Sequence, residues 1–171
     1  IDCIFKKNEF TALIRSTVKE KWTIARLIAR FWDTTEGNIY IGGKDIKDIP
    51  ISKLNELISF VTQDTYLFNC SVKENIRLGN PGATDDEVFQ AAKLACCDEF
   101  IQTLEDGYDT IVGNAGNKLS GGEKQRISIA RMILKDSPIV ILDEATAFTD
   151  PENESKLQQS LGALSKGKLL L

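Results

Sequence analysis

The stretch "LSGGEKQRISIARMILKDSPIVILDEATAFTD", residues 119–150, decides the fold. Ser120 followed three residues later by Glu123 is a capping-box pattern, and it predicts a helix through Leu134. Gly121 and Gly122 leave the first turn of that helix bare. Free backbone N–H groups and the positive end of the helix dipole then face outward, which suits a phosphate. The compact β-branched run "PIVIL" (138–142) marks a strand buried on both faces. It ends in Asp143 and Glu144, placing two carboxylates at the carboxyl edge of a sheet. Ligands bind at that edge in open α/β sheets. A buried pair of acids is costly unless a cation or a reacting water uses it. Taken singly, each feature has a plainer reading: a capped helix after a glycine turn, and a strand that stops.

Outward from this stretch, strands and helices alternate. Residues 3–14 alternate and then run apolar through "TALI", a strand entering a core. Ile24, Leu27, Ile28 and Phe31 share one face of a helix over 22–32. "EGNIYIGG" (36–43) reads as a short strand between turn signals, and "LISFVTQ" (57–63) as a strand ending in a polar residue. Thr84 and Glu87 form a second capping box, opening a helix through Cys97. Asp150 and Pro151 start a helix with Leu157, Leu161 and Leu164 inward. "KGKLLL" begins another strand, so the C-terminus looks cut. The expected class is an α/β sheet with a helical insertion in its middle.

Composition narrows the function. The chain has 171 residues, 42% of them apolar and 27% charged, as in an ordinary globular domain. The net charge of −4 and the lack of a long basic run speak against nucleic acid as a partner. No apolar run approaches the roughly 20 residues of a membrane span, and no signal peptide opens the chain. Cys3, Cys70, Cys96 and Cys97 form no CxxC and there is no histidine, which disfavours a zinc site. Reduced thiols are expected, two of them packed in a helix.

Taken together, "LSGGEKQR" and "IVILDEATAFTD" resemble the signature motif, Walker B and D-loop of ABC ATPases. The resemblance covers nearly the whole chain. "VTQDTYLFNCSVKENI" is similar to the Q-loop segment of exporter-type domains, and "GYDTIVGNAGNKLSGGEKQR" to the stretch leading into their signature. The resemblance implies a P-loop NTPase-like core, residues 1–68 and 136–171, truncated at both ends. A helical signature subdomain would occupy 69–135. It implies an ATPase that uses ATP and Mg²⁺, working as a head-to-tail dimer with a second ABC ATPase domain. That dimer would sit on the cytoplasmic face of a membrane, joined to a transmembrane domain fused N-terminally. Glu144 would be the general base or orient the attacking water, and Asp143 would support Mg²⁺. Gln63 would sense Mg²⁺ and water and couple to the membrane domain. Ser120, Gly121, Gly122 and Glu123 would complete the ATP site of the opposite subunit. Asp150 would lie at the dimer interface. A soluble ABC protein of DNA repair or translation fits less well, given the exporter-like "YLFNCSVKENI". The cargo is not legible; exporters with this signature suggest peptides, lipids, drugs or siderophore-type molecules.

The departures are concentrated in one place. The family has GxxxxGK[ST] where this chain has "RSTVKEKW" (15–22). Aligned on Lys21, Arg15 and Glu20 hold the two key glycine positions, and Val18 a third. Trp22 stands where a hydroxyl should bind Mg²⁺, and Thr23 lies one place later. Asn114 stands where exporters often have glutamate, and Phe148 and Thr149 replace the usual pair before Asp150. Those glycines allow positive φ and let backbone N–H groups wrap phosphates. A side-chain-bearing residue forced to positive φ costs about 1 kcal/mol or more. Glu20 adds like-charge repulsion. The loop is therefore expected not to form a normal phosphate cradle. Natural degeneracy of one half-site and a local lesion in the gene both account for it. The abrupt return to family-like sequence at "TIARLIARF" favours the lesion.

Overall fold

The first helix, α1 (Val18–Ile28), stops before Phe31, which the apolar spacing places on its inner face. Arg30 takes a left-handed conformation, φ +55°. Its N–H bonds to Leu27 O and that of Phe31 to Arg26 O, which closes the helix. The Arg30 guanidinium donates to Ile46 O and Ile49 O at 3.1 and 3.0 Å, so a distant contact pins the stop. Phe31 is turned outward and its ring meets Phe60 with centroids 5.4 Å apart. Ile28 is buried as expected, while Ile24 and Leu27 are half-buried. The computed structural model describes residues 2–6, 11, 18–61, 65–142, 162 and 167–170, with side chains in α1 from Thr23 onward.

The stretch 36–43 holds only one short strand, β1 (Tyr40–Ile41), antiparallel to β2 (Lys44–Asp45). Its two glycines are the turn between them. Gly42 and Gly43 both have positive φ, as a tight two-residue hairpin requires. Next, α2 (Ile51–Leu57) runs straight into β3 (Ile58–Val61).

Four helices follow: α3 (Val72–Arg77), α4 (Asp85–Leu94), α5 (Asp98–Ile101) and α6 (Gly121–Lys135). Both expected capping boxes are present, at Thr84–Glu87 and Ser120–Glu123. However, α4 ends at Leu94 rather than at Cys97. Cys96 is left-handed, φ +55°, and breaks the helix. Cys97 N-caps α5 and is fully buried, so the two thiols do not share one helix. All four cysteines are free.

The chain then enters β4 (Ile139–Leu142), the middle of a three-stranded parallel sheet in the order β3, β4, β5 (Leu169–Leu170). Adjacent residues of β4 face opposite cores. Val140 belongs to the cluster built from α3, α4 and α6, and Ile141 to the cluster around Ala25, Ile28 and Leu54. This is the strand buried on both faces that "PIVIL" predicts. The end of α6 is fastened to the sheet. Lys135 Nζ donates to Ile58 O at 2.7 Å, Ser137 Oγ to Glu56 O, and Lys168 pairs with Asp136 at 2.6 Å. Residues 2–6 carry no strand. Thr11 donates its N–H to Leu170 O, and the other residues of that expected strand lie outside the described ones. The expected helix from Asp150 also lies outside them, but the strand at "KGKLLL" is β5.

Candidate functional site

The N-terminus of α6 is the part of the expected site that the described residues contain. A strained loop feeds it. Gly113, Ala115 and Gly116 all have positive φ. A Cβ at Gly116 would stand 2.9 Å from Leu67 Cδ1, so glycine is needed for the loop to close down on Leu67. Ser120 is extended and caps the helix. Its Oγ accepts the Glu123 N–H at 3.3 Å and donates to Glu123 Oε2 at 2.8 Å. The Ser120 N–H donates to the same Oε2 at 2.7 Å. Lys124 N–H bonds to Ser120 O, the first intrahelical rung.

Gly121 and Gly122 form the turn between cap and rung. An α-helix supplies no carbonyl to the N–H groups of its first turn. A Cβ at either glycine would meet open space, so packing does not demand glycine there. Small size above the turn leaves room for an approaching anion. Ser120 and Gly121 are exposed, and Gly122 and Glu123 half-buried. The turn therefore offers the backbone N–H groups of Gly121 and Gly122 and the positive helix end on one open face, while both Ser120 donors are held by Glu123. Beyond that turn α6 is packed into the helical cluster, where Ile127, Ile129, Ala130 and Met132 are buried.

Other site residues divide differently. Lys21 lies in the first turn of α1, which begins three residues earlier, at Val18. Thr23 is exposed and engaged in a contact of its own. Gln63, Asp143 and Glu144 lie outside the described residues, as do the departures Arg15, Phe148 and Thr149. The strands preceding them end at Val61 and Leu142, which are register partners in the parallel sheet. Among the described residues no group of three or more His, Cys, Asp or Glu side chains is placed to hold a metal. No described helix is long and apolar enough to cross a membrane.

Sequence reasoning did not single out Asn75 or Arg131. Asn75 is fully buried on α3. Its Oδ1 accepts from Phe68 N–H at 2.9 Å and from Arg131 Nη2 at 2.5 Å. Arg131, on α6, also donates to Asn75 O and Tyr66 O. Burial lowers the Arg131 pKa, as expected for a guanidinium removed from water. The available signal was a polar residue on the inward face of the short helix "VKENIR", beside Val72 and Ile76.

A model of the ABC transporter family matches residues 2–147. The chain belongs to the ABC transporter family. Putative multidrug export ATP-binding/permease proteins of Staphylococcus aureus strains are 49% identical to it over 171 residues. An ATP-dependent lipid A-core flippase of Syntrophus aciditrophicus is 45% identical over the same length. The chain spans 30% of the former and 28% of the latter. A bacterial Atm1-family ABC exporter solved with ATP bound superposes with a TM-score of 0.83 and 43% identity. That superposition covers 88% of this chain and 26% of the other. The α/β fold expected from the sequence is the ATPase-domain fold of that exporter.

Proposed function

We propose that the chain is the nucleotide-binding domain of an ABC exporter, binding and hydrolysing ATP as a head-to-tail dimer to drive transport across a membrane. The observation that carries this reading is the bare, capped first turn of α6, set in the fold of an exporter solved with ATP. Gly121 and Gly122 serve as anion donors to ATP held by a second ABC ATPase domain, Glu123 fixes the cap, and Ser120 joins them when its hydroxyl turns from Glu123 to the phosphate. Lys21 and Thr23 belong to this chain's own phosphate loop. Asp143 and Gln63 would hold Mg²⁺, which when bound neutralises phosphate charge. Glu144 orients or deprotonates the attacking water, and Gln63 links that water to the transmembrane domain. The core comprises 1–68 and 136–171 and the signature subdomain 69–135, on the cytoplasmic face of the membrane.

A second reading is favoured by a specific observation. Helix α1 already includes Val18 and Glu20, where the family's loop keeps backbone free to wrap phosphates. With Arg15, Glu20 and Trp22 in key places, this copy would donate its signature to a partner's site and hold no ATP itself. Calorimetric titration of the chain with ATP separates the two readings. The first expects sub-millimolar, Mg²⁺-dependent binding that Lys21→Ala abolishes. The second expects none, with hydrolysis only in mixtures with a competent partner domain and through that partner's Walker motifs. Resequencing the gene around residues 15–22 tests whether the loop is natural.

A further inference from the structure

The segment 65–70 points its side chains two ways. Tyr66 and Phe68 are exposed and pack edge to face, with centroids 5.2 Å apart. Leu67, between them, has no exposed surface and is the side chain against which Gly116 closes, four residues before Ser120. The same segment is held by a polar knot. Asn75 Nδ2 donates to Phe68 O at 2.9 Å and to Ser71 O at 3.0 Å, while its Oδ1 accepts the Phe68 N–H. An amide has two donor hydrogens, and these two carbonyls are its nearest acceptors; Cys70 O and Sγ lie farther, at 3.4 and 3.2 Å. Arg131 completes the knot from α6, with Nη1 on Tyr66 O at 2.9 Å, Nε on Asn75 O and Nη2 on Asn75 Oδ1.

We infer that Arg131 and Asn75 are positioning residues that make the exposed Tyr66–Phe68 pair and the phosphate-facing turn Ser120–Gly122 one mechanical unit. Arg131 lies about three helical turns beyond Ser120 on the same helix. Directional bonds from one guanidinium reach both ends of the aromatic pair, at Tyr66 directly and at Phe68 through Asn75. A displacement of the pair therefore pulls on α6 as a rigid rod. The Leu67 contact is a second link, but apolar packing has no preferred direction and tolerates sliding. The guanidinium fork sets the direction of the motion. Its functional weight rests on the reading of Ser120–Gly122 as anion donors, whereas the mechanical link does not.

Amide NMR of the full chain without nucleotide tests the link, so failure of ATP to bind leaves the result unaffected. Phe68→Ala trims an exposed ring and spares the backbone bonds. It is expected to shift the Gly121 and Gly122 amide resonances. In an Arg131→Lys background, which keeps the charge and loses the fork, the same substitution should shift them about threefold less or weaker still. If Arg131→Lys does not fold, Arg131→Met serves: it keeps the apolar stem and loses every donor of the fork. Equal shifts in the wild-type and altered backgrounds would overturn the inference. So would the absence of any shift at Gly121 and Gly122 in the wild-type background.

Discussion

Glu87 and Glu123 each close a capping box, with the same three bonds in both. The Glu87 carboxylate accepts the Thr84 N–H at 2.7 Å and the Thr84 hydroxyl at 2.9 Å. These bonds, the backbone one foremost, hold its pKa below the ordinary 4.5. A carboxyl whose pKa is lower in the folded than in the unfolded chain stabilises the fold above its unfolded value. That contribution disappears as pH falls through the folded value. Glu87→Gln should therefore flatten the acid limb of the stability curve from about pH 4.5 downward. Melting temperatures of both proteins between neutral and strongly acid pH check this. Parallel acid limbs would show that the cap is not the titrating element. Both boxes were legible because a cap is local: donor and acceptor lie three residues apart, and no tertiary contact needs to be known. The left-handed residues Arg30 and Cys96 were not legible. Neither is glycine, and for Arg30 the conformation is fixed by carbonyls 16 and 19 residues away. Each of these two residues ends a helix whose apolar period continues past it.

At the scale of elements, α3 meets α6 across Gly79. A Cβ there would stand 2.2 Å from Arg131 O, inside any possible contact. The φ of Gly79 is not positive, so the residue answers to proximity and not to conformation. The same backbone approach brings Asn75 within reach of Arg131. Gly79→Ala must push the helices apart, stretching those bonds as it does so. Overpacking of this kind costs typically 1–3 kcal/mol, and disruption of the bonds at buried Asn75 brings the expected loss to roughly 2–4 kcal/mol. Urea denaturation monitored by circular dichroism measures it. A loss below about 0.5 kcal/mol, the level of an ordinary surface change, would mean that the contact relaxes freely. The surface bonds nearby carry less. Arg77 pairs with Asp85 and Glu74 and donates to Ala83 O, but its carboxylate partners are half exposed to solvent. The sequence disclosed α6 and β4 fully because their periodicity and composition are self-contained. It concealed the α3–α6 contact because "LGN" reads as any turn, and only the neighbouring backbone shows why the glycine is there.

For the molecule as a whole, β4 is the common wall of two cores. Val140 faces the helical cluster that seats α6, and Ile141 faces the cluster formed by α1, α2 and β3. Parallel pairing on both sides leaves the strand no solvent-facing edge. The motif most legible in the sequence, an apolar run leading to two acids, is thus also the element on which both halves depend. The residues proposed for the site are spread along the chain from Lys21 to Glu144, so this shared wall is what would hold them in register. Loss of packing on one side should then be felt on the other. Ile141→Ala removes a fully packed side chain from the α1 side and should cost about 2–5 kcal/mol. Two probes report on different halves. Tryptophan fluorescence follows Trp22 in α1 and Trp32 just beyond it, and among the described residues most helix, which far-ultraviolet circular dichroism reports, belongs to the other cluster, α4 and α6 above all. If the strand couples the halves, both signals shift to the same lower midpoint and remain a single transition. A helical signal that keeps the wild-type midpoint while fluorescence moves would show two units unfolding separately. The N-terminus of α6 would then be held by its own cluster and not by the sheet.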